Sequence, residues 1–308
     1  MPRRDKNRRD RVDGVLLLNK PAGISSNQAL QRVKYALNAR KAGHTGSLDP
    51  AATGMLPLCF GEATKVSAFL LDADKTYRVV ARLGERTDSG DATGKRVEAA
   101  DVPELDFSAW QRLLGEFIGE TTQVPPMYSA LKKDGKRLYE LARKGEEVER
   151  EPRPVHISLI ELLEFKGRRL VFRVRCSKGT YVRTLVEDIA KKAGTVAYTH
   201  SLHRESVGTF DEVDSVDWVR AQALEPEDLK ALLLPPDTAL QFMPGLSLTS
   251  GESERFVSGQ AVSGTVEPGL VRLYNEADEF LGVGESDGAG SVSPKRVFRL
   301  APASASPV

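Results

Sequence analysis

The chain has 308 residues, of which 40% are hydrophobic and 28% are charged, so it is long enough for about two domains with a buried core. Its apolar runs fall short of the ~18 residues of a membrane span, and its basic start is not followed by an apolar signal segment. We therefore expect a soluble protein that is neither inserted in a membrane nor exported. Cys59 and Cys176 lack the spacing of a disulfide framework or a zinc site, which is typical of the reducing cytoplasm.

The net charge of +1 conceals opposed blocks of charge along the chain. Segments 1–11 and 132–144 each carry six basic and two acidic side chains, and segment 166–183 carries seven basic and none acidic. Segment 205–237 is acidic, with nine acids against two bases. Each block alone is an ordinary solvated face, but basic segments with interleaved aromatic residues favour a polyanion, foremost a nucleic acid, as partner.

Hydrophobic periodicity and turn residues predict the elements in chain order. The predicted strands are 14–18, 77–83, 155–164, 170–176 and 195–207. The predicted helices are 26–39 with Ser26 as N-cap, 62–71, 107–118 and 180–193. Strands and helices do not alternate as βαβ units, which indicates an α+β fold on a mixed or antiparallel sheet.

Glycine, proline and charge mark the segments between these elements. We predict a structured loop at 40–61, a polar turn region at 84–94, and a basic insertion at 124–154 with a short helix near 137–143. A turn at Met243 precedes Gly/Ser/Val-rich sequence, which predicts a small β domain at 247–308. The charged segment 1–11 is expected to be a flexible tail.

Several familiar motifs are absent or incomplete. Gly90–Arg96 is one residue too short for a phosphate-binding loop and lacks the Ser/Thr after its lysine. His200 and His203 could ligate a metal, but no third ligand follows at a suitable spacing. Nucleotide, metal and serine-hydrolase chemistry are therefore not indicated by motif.

The segment 43–54, Gly-His-Thr-Gly-Ser-Leu-Asp-Pro-Ala-Ala-Thr-Gly, is the most unusual stretch of the chain. It combines three glycines, His44 and a single acid, Asp49, with almost no core-forming side chains. An Asp before Pro is by itself an ordinary turn former. A loop of this composition is also what a close approach of backbone or ligand requires, and this makes Asp49 a candidate functional residue.

At this loop the sequence resembles the bacterial tRNA pseudouridine synthases of the TruB type. The resemblance extends over about residues 12–300 and rests on five segments that occur in the family's order. They are Leu18-Asn19-Lys20-Pro21 with Gly23 and Ser25-Ser26, then Gly43–Gly54, Lys75-Thr76-Tyr77, Pro126-Met-Tyr-Ser-Ala-Leu-Lys with Gly135 and Arg137-Leu-Tyr139, and Cys176–Arg183.

The resemblance implies a pseudouridine synthase core on a mixed, largely antiparallel sheet with flanking helices at 12–246, and a PUA-like, RNA-binding β domain at 247–308. It implies isomerisation of uridine 55 in the T-loop of tRNA to pseudouridine, with 124–154 gripping the RNA. The reaction oxidises nothing and loses no group, so no cofactor and no metal are expected. The family also implies a monomer in the cytoplasm, with the tRNA T-arm as partner.

Residue roles follow from the same resemblance. Asp49 would be the nucleophile, Arg183 its ion-pair partner and Tyr77 the ring that stacks on the target base. The expected substrate-binding residues are His44, Tyr77, Tyr181, Leu202, Lys20 and Pro21. The expected contacts to the RNA backbone are Lys132, Lys133, Lys136, Arg137 and Lys178. One departure is Leu202-His203-Arg204, where the family often has Leu-Arg-Arg.

Burial alone would raise the pKa of Asp49, so a carboxylate ionised at neutral pH needs a nearby cation, for which arginine suits best. For Arg183 the alternative is an exposed helical pair with Glu187. For Tyr77 the alternative is an ordinary strand residue packed on the core.

Three rival functions stay open. The first is a tRNA-folding chaperone with the same fold, and the second is a synthase directed by a guide RNA. The third is a carboxylate hydrolase such as a glycosidase, which would need a second acid, for which only Asp88 or Asp91 could be offered.

Overall fold

The structure is a computed structural model that describes residues 9–300 except 130, 134, 143 and 147, and at 132, 133, 137 and 139 it describes the backbone only. Residues 1–8 of the predicted tail and residues 301–308 of the predicted β domain lie outside the described residues.

Strands dominate the described chain. They are β1 (Gly14–Lys20), β2 (Ala42–His44), β3 (Thr53–Phe60), β4 (Lys75–Leu83), β5 (Glu85–Thr87), β6 (Arg96–Ala99), β7 (Gly119–Gln123), β8 (Lys132–Lys133), β9 (Lys136–Arg137), β10 (Arg153–Lys166), β11 (Arg169–Cys176), β12 (Ala197–Val207), β13 (Phe210–Asp211), β14 (Val216–Asp217), β15 (Gly245–Ser247), β16 (Val262–Ser263), β17 (Gly269–Tyr274), β18 (Phe280–Ser286) and β19 (Ser291–Val297).

Helices are shorter and flank the strands. They are α1 (Ser26–Ala36), α2 (Ser67–Asp72), α3 (Phe107–Gly115), α4 (Leu138–Ala142), α5 (Val182–Lys192), α6 (Trp218–Ala223), α7 (Pro226–Ala231) and α8 (Ser250–Val257), with 3-10 turns at Gly61–Val66, Glu212–Asp214 and Pro236–Leu240. No described helix is both long and apolar enough to cross a bilayer.

The main sheet has ten strands in the order β14-β1-β3-β12-β4-β11-β10-β7, with β13 beside β12 and β2 beside β3. Its pairs are antiparallel except β1 with β14 and β3 with β12. This confirms the predicted α+β class with a mixed, largely antiparallel sheet. The parallel contact between β3 and β12 joins Thr53 and Gly54 to His203 and Arg204, and so places β12 directly beside the end of the 43–54 loop.

Helices α3 and α5 cover one face of this sheet. Trp110 and Leu114 of α3 are fully buried against Phe172 of β11 and its neighbours. The predicted alternation along β11 is confirmed, because Phe172 and the residues two positions either side are buried while Arg175 is exposed. In α5, Leu185 and Ile189 lie in the same core, which fixes the orientation of the helix.

A second, five-stranded sheet has the order β15-β17-β18-β19-β16. It begins at Gly245, near the predicted boundary, and its strands confirm a β-rich C-terminal region. Phe280 and Phe298 from this region pack in one core with Met55 and Leu240. The division of the chain into a catalytic and an RNA-binding domain stays a prediction.

Two predicted boundaries of α1 need correction. The N-cap is Ser25 rather than Ser26, because the Ser25 hydroxyl accepts from the Gln28 amide and the Gln28 side chain accepts from the Ser25 amide. This is a capping box, which satisfies two helix-end donors at once. The helix ends at Ala36 rather than near Ala39.

The prediction of a continuous loop at 40–61 is wrong, because β2 and β3 occupy half of it. Pro57 and Gly54 concealed β3, since both residues normally interrupt strands. Pro57 is tolerated because β12 pairs only with Thr53 and Gly54, and β2 pairs only with Leu58 to Phe60, so Pro57 lies in the gap between the two ladders. The true loop is 45–52.

The polar turn predicted at 84–94 is only one part of a β-hairpin. Strands β5 and β6 form a hairpin around it, with Glu85 opposite Ala99. All four residues of β6 are exposed, so no apolar alternation marked it as a strand. In the predicted insertion, α4 confirms the short helix, but 153 and 154 belong to β10.

Candidate active site

Asp49 lies in the 45–52 loop between β2 and β3. Its side chain is 45% exposed and lines an open pocket together with Asp91, Arg183 and Leu202. The loop turns back at once, because the Ala52 amide donates to the Asp49 carbonyl at 3.0 Å. The carboxylate is thus presented at a concave surface where a substrate could reach it.

Arg183 faces this carboxylate from the first turn of α5. Its Nη2 lies 3.1 Å from Asp49 Oδ2, and its Nη1 lies 3.7 Å from Asp91 Oδ2. The guanidinium also donates to the Ser89 carbonyl at 3.0 Å and the Tyr128 carbonyl at 2.7 Å. Because Arg183 is only 7% exposed, the alternative of an exposed helical pair with Glu187 is wrong.

The ionisation of Asp49 is set by opposing influences. Removal from water raises the pKa of Asp49, the charges of Arg183 and Lys20 lower it, and the like charge of Asp91 raises it, with a net upward direction. The sequence suggests Asp91 only as the second acid of the rival hydrolase function. In the structure it shares Arg183 with Asp49, and its position on the β5–β6 hairpin gave no sequence signal for this contact.

Lys20 ends β1 beneath the same loop and is 0% exposed. Its Nζ donates to the carbonyls of Pro21 at 2.7 Å and Ile24 at 2.9 Å, and it lies 3.5 Å from the carbonyl of Pro50. Burial lowers the pKa of Lys20 to about 8, although Asp49 raises it. The predicted substrate-binding residues Lys20 and Pro21 thus lie where they fix the backbone next to Asp49.

Arg204 was overlooked as a site residue. It is 1% exposed, and its Nε donates to the Met55 carbonyl at 2.7 Å while its Nη2 donates to the Gly46 carbonyl at 3.2 Å. It therefore ties the start of the 45–52 loop to β3. At Gly54, where φ is +103°, a Cβ would lie 2.3 Å from the Arg204 carbonyl, so only glycine permits this approach.

The predicted aromatic residues converge on the same region. Tyr77 on β4 pairs with Arg204 on β12, and Tyr181 is the N-cap of α5. Burial raises the pKa of both tyrosines, and the charge of Asp49 contributes to the rise in each case. The ring of Tyr77 also packs against the α3–α5 core. Tyr77, Tyr181 and Leu202 therefore all lie near Asp49, and their roles toward a substrate stay predictions.

His44 ends β2, just before the loop. Burial lowers the pKa of His44, and the charge of Arg204 lowers it further. Its Nδ1 is buried and has no hydrogen-bond partner among the described residues. Both effects on the pKa favour the neutral form of the imidazole.

The predicted backbone contacts lie at two places. Lys178 is exposed, in the turn before α5, and its Nζ lies 2.8 Å from Asp72 Oδ1. The other four lie on β8 and β9, which pair Lys132 with Arg137 and Lys133 with Lys136 in a small hairpin. Among these four the side chain of Lys136 is described, and it is exposed. The backbone of the hairpin therefore places these four basic residues next to one another, and their contact with RNA stays a prediction.

His203, which the sequence suggests as a candidate metal ligand, makes two side-chain contacts within the protein. Its Nδ1 lies 2.7 Å from Thr53 Oγ1, and its Nε2 contacts Glu212. In the described part of the chain, no three His, Cys, Asp or Glu residues are grouped as metal ligands.

Comparison with known proteins extends these observations to the whole chain. The family described as "TruB family pseudouridylate synthase (N terminal domain)" matches residues 34–182, and "Pseudouridine synthase II TruB, C-terminal" matches 244–298. A protein of Stutzerimonas stutzeri named "tRNA pseudouridine synthase B" is 48% identical over 95% of this chain and 97% of its own length. A protein of the same name from Dechloromonas aromatica is 49% identical over 94% of this chain and 97% of its own.

Among solved structures, a chain of "Crystal Structure of a Cbf5-Nop10-Gar1 Complex" superposes with a TM-score of 0.70 at 27% identity. The match covers 93% of this chain and 85% of that one, so the likeness includes both sheets. The chain described here belongs to the TruB family of pseudouridylate synthases.

Proposed function

We propose that this protein converts uridine 55 in the T-loop of tRNA to pseudouridine, with Asp49 as the nucleophile. Its family and its relatives make it a tRNA pseudouridine synthase, which is an isomerase. The observation that carries the assignment of the nucleophile is the contact between Asp49 and Arg183, in which a buried, permanently charged guanidinium faces a half-exposed carboxylate in a pocket.

The chemistry needs an ionised carboxylate next to a nucleoside. The N1–C1′ bond of uridine breaks, the uracil turns, a C5–C1′ bond forms, and the proton from C5 leaves while N1 gains one. Asp49 forms a transient covalent bond with the nucleoside and is released at the end. Arg183 favours the ionised form of Asp49 and, with three further acceptors, has little freedom to move away.

The target base must leave the T-loop stack before Asp49 can reach it. Flipping a base costs a few kcal/mol, and stacking on an aromatic ring returns ~1–3 kcal/mol. Tyr77 supplies that ring, and Tyr181 and Leu202 line the pocket for the uracil. His44 fills the place that the base vacates.

The rest of the tRNA is held through its backbone. Lys132, Lys133, Lys136 and Arg137 lie together in the backbone of the β8–β9 hairpin, and Lys178, paired with Asp72, lies in the turn before α5. Such contacts recognise the shape of the T-arm rather than its sequence. We infer that the protein acts as a monomer in the cytoplasm and that the reaction requires no cofactor.

The test is tritium release from an unmodified tRNA transcript labelled at C5 of its uridines, with no other RNA present. Release by the wild type and none by Asp49→Asn, with tRNA affinity within threefold, would support the proposal. Asp88→Asn is the matched control, because Asp88 is exposed on the neighbouring hairpin, and it should keep full activity.

Other outcomes separate the rival functions. Tight binding without release by the wild type would favour a folding chaperone, and release only after a guide RNA is added would favour a guided synthase. A tenfold loss of affinity in Asp49→Asn, equivalent to ~1.4 kcal/mol, would make Asp49 a structural residue.

A further inference from the structure

Gln123 lies outside the residues assigned above and makes an unusual pair of contacts. It is the last residue of β7, at the edge of the main sheet, and is 4% exposed. Its Oε1 accepts from the Tyr181 amide at 2.9 Å, and its Nε2 donates to the Tyr181 carbonyl at 3.4 Å. One side chain thus satisfies both polar groups of a single residue, as a neighbouring strand would do.

Tyr181, the residue that Gln123 binds, lies in the connection between β11 and α5. Tyr181 is the N-cap of α5, with φ −98° and ψ 105°, and it has no capping side chain of its own. Its carbonyl also accepts the Leu185 amide at 3.0 Å, the first bond of the helix. Since the Tyr181 ring and the Arg183 guanidinium both project from this turn, the orientation of the Tyr181 peptide determines where both side chains point.

The chain that follows Gln123 returns to the same place. Five residues later, the Tyr128 carbonyl accepts from Arg183 Nη2 at 2.7 Å, and this Nη2 is the atom nearest to Asp49. The segment 123–128 therefore acts on Arg183 at two points. Gln123 binds the main chain of Tyr181, two residues before Arg183, and the Tyr128 carbonyl binds the Arg183 guanidinium. Gln123 also marks the point where β7 passes into the basic 124–154 insertion.

We propose that Gln123 is a positioning residue of the isomerisation. Its amide fixes the first turn of α5, so that Arg183 stays aligned with Asp49 and Tyr181 stays in the uracil pocket. Only a side chain with a donor and an acceptor on one planar group fits both contacts. The inference rests on the proposed function, because it takes Asp49 and Arg183 as the reacting pair.

The test measures the single-turnover rate of pseudouridine formation and the Kd for tRNA in Gln123→Met, which keeps the length of the side chain and removes both hydrogen bonds. We expect the rate to fall at least tenfold while the Kd stays within threefold. The matched control is Gln111→Met. Gln111 lies on α3, and its Oε1 accepts the Leu162 amide at 3.0 Å, away from the site. This control should keep the rate within twofold.

A second variant guards against a merely structural effect. In Gln123→Glu the protonated carboxylic acid has the same donor and acceptor pattern as the amide, whereas the carboxylate repels the Tyr181 carbonyl. Burial favours the protonated form of such a side chain. The rate relative to wild type should therefore rise at least fivefold between pH 8 and pH 6, whereas in Gln123→Met this ratio should stay constant.

The positioning role is overturned if Gln123→Met and Gln111→Met change the rate by the same factor. It is also overturned if only the Kd or the melting temperature changes, or if the Gln123→Glu ratio does not vary with pH. These failures differ from a failure of the proposed function, which would appear as an inactive wild type or an active Asp49→Asn in the same assay.

Discussion

Arg183 and Arg204 are both almost fully buried, and both contact the segment 46–55, but they bind different chemical groups there. Arg183, from α5, faces the carboxylates of Asp49 and Asp91. Arg204, from β12, donates to two main-chain carbonyls, those of Gly46 and Met55. One arginine therefore acts on the ionisation of the loop's acid, and the other acts on the path of the loop's backbone.

The charges of the two arginines have opposite consequences for their neighbours. Arg183 lowers the pKa of Asp49 against the effect of burial. Arg204 lowers the pKa of Lys20, His44 and Lys75, and burial already lowers each of them. The site thus combines a cation that favours the ionised form of an acid with a cation that favours the neutral forms of the bases around it. Two buried arginines in one site can therefore have different electrostatic effects on the residues around them.

The largest effect should come from Arg183→Lys. Lysine keeps the positive charge, but its compact ammonium group cannot replace the planar guanidinium, which contacts two carboxylates and two carbonyls at once. We expect the single-turnover rate to fall at least a hundredfold, of the order seen when one transition-state contact is removed, with tRNA affinity unchanged. The rate and the Kd measured side by side would check this. A fall below threefold would show that charge alone matters at this position.

Arg204→Met should act on stability first and on the rate second. It leaves the carbonyls of Gly46 and Met55 without their donor in a buried setting, which costs about 2–3 kcal/mol. We expect the urea midpoint to fall accordingly and the rate to fall about tenfold, because the 45–52 loop loses one anchor. Arg78→Met on the exposed face of β4 is the control and should change neither. A full hundredfold loss of rate with normal stability would remove the distinction between the two arginines.

Asp91→Asn tests the electrostatic half of the comparison through pH. The negative charge of Asp91 raises the pKa of Asp49, so removing that charge should lower it. Under the proposed mechanism the reaction needs ionised Asp49, so the rate should fall as pH drops through the pKa of Asp49. The acidic limb of the rate profile should therefore move to lower pH in the variant. The maximal rate should fall several-fold, since Arg183 loses a partner at 3.7 Å. An acidic limb that moves to higher pH would contradict this account.

How far the sequence anticipated the site differs between these two arginines. Arg183 was identified because a desolvated Asp49 requires a cation and because the segment Cys176–Arg183 resembles the family. Arg204 is not predicted, because its hydrogen bonds to Gly46 and Met55 go to main-chain carbonyls, which every residue possesses and no motif records. Gln123 belongs to the same class, since it binds the main-chain groups of Tyr181, 58 residues further along the chain.

The same reasoning applies to the fold. Strand β11 and helix α5 were predicted within two residues, because their apolar residues recur at period 2 and 3.6. The local sequence predicts a loop at β3, because Gly54 and Pro57 carry turn signals that continuous pairing of Gly54 to Phe60 with β1 overrides. Hairpin β5–β6 was missed because β6 is exposed on both faces. Local pattern thus predicted the elements that bury a face and failed where neighbouring strands decide.

The smallest effect should come from Thr53→Val, which removes the hydroxyl that contacts His203 Nδ1 at 2.7 Å. Thr53 begins β3 and directly follows the 45–52 loop, so it lies between Gly46 and Met55, the two residues that Arg204 binds. His203 is not among the residues that line the Asp49 pocket, and its ring contacts Thr53 and Glu212 instead. A lost hydrogen bond of a half-exposed pair costs about 0.5–1.5 kcal/mol. We therefore expect a small fall in the urea midpoint and a rate within twofold of wild type. A rate loss of tenfold or more would mean that the Thr53–His203 contact holds the Asp49 loop as Arg204 does, and the backbone anchors of the site would then include the one position where the Leu-Arg-Arg pattern is broken.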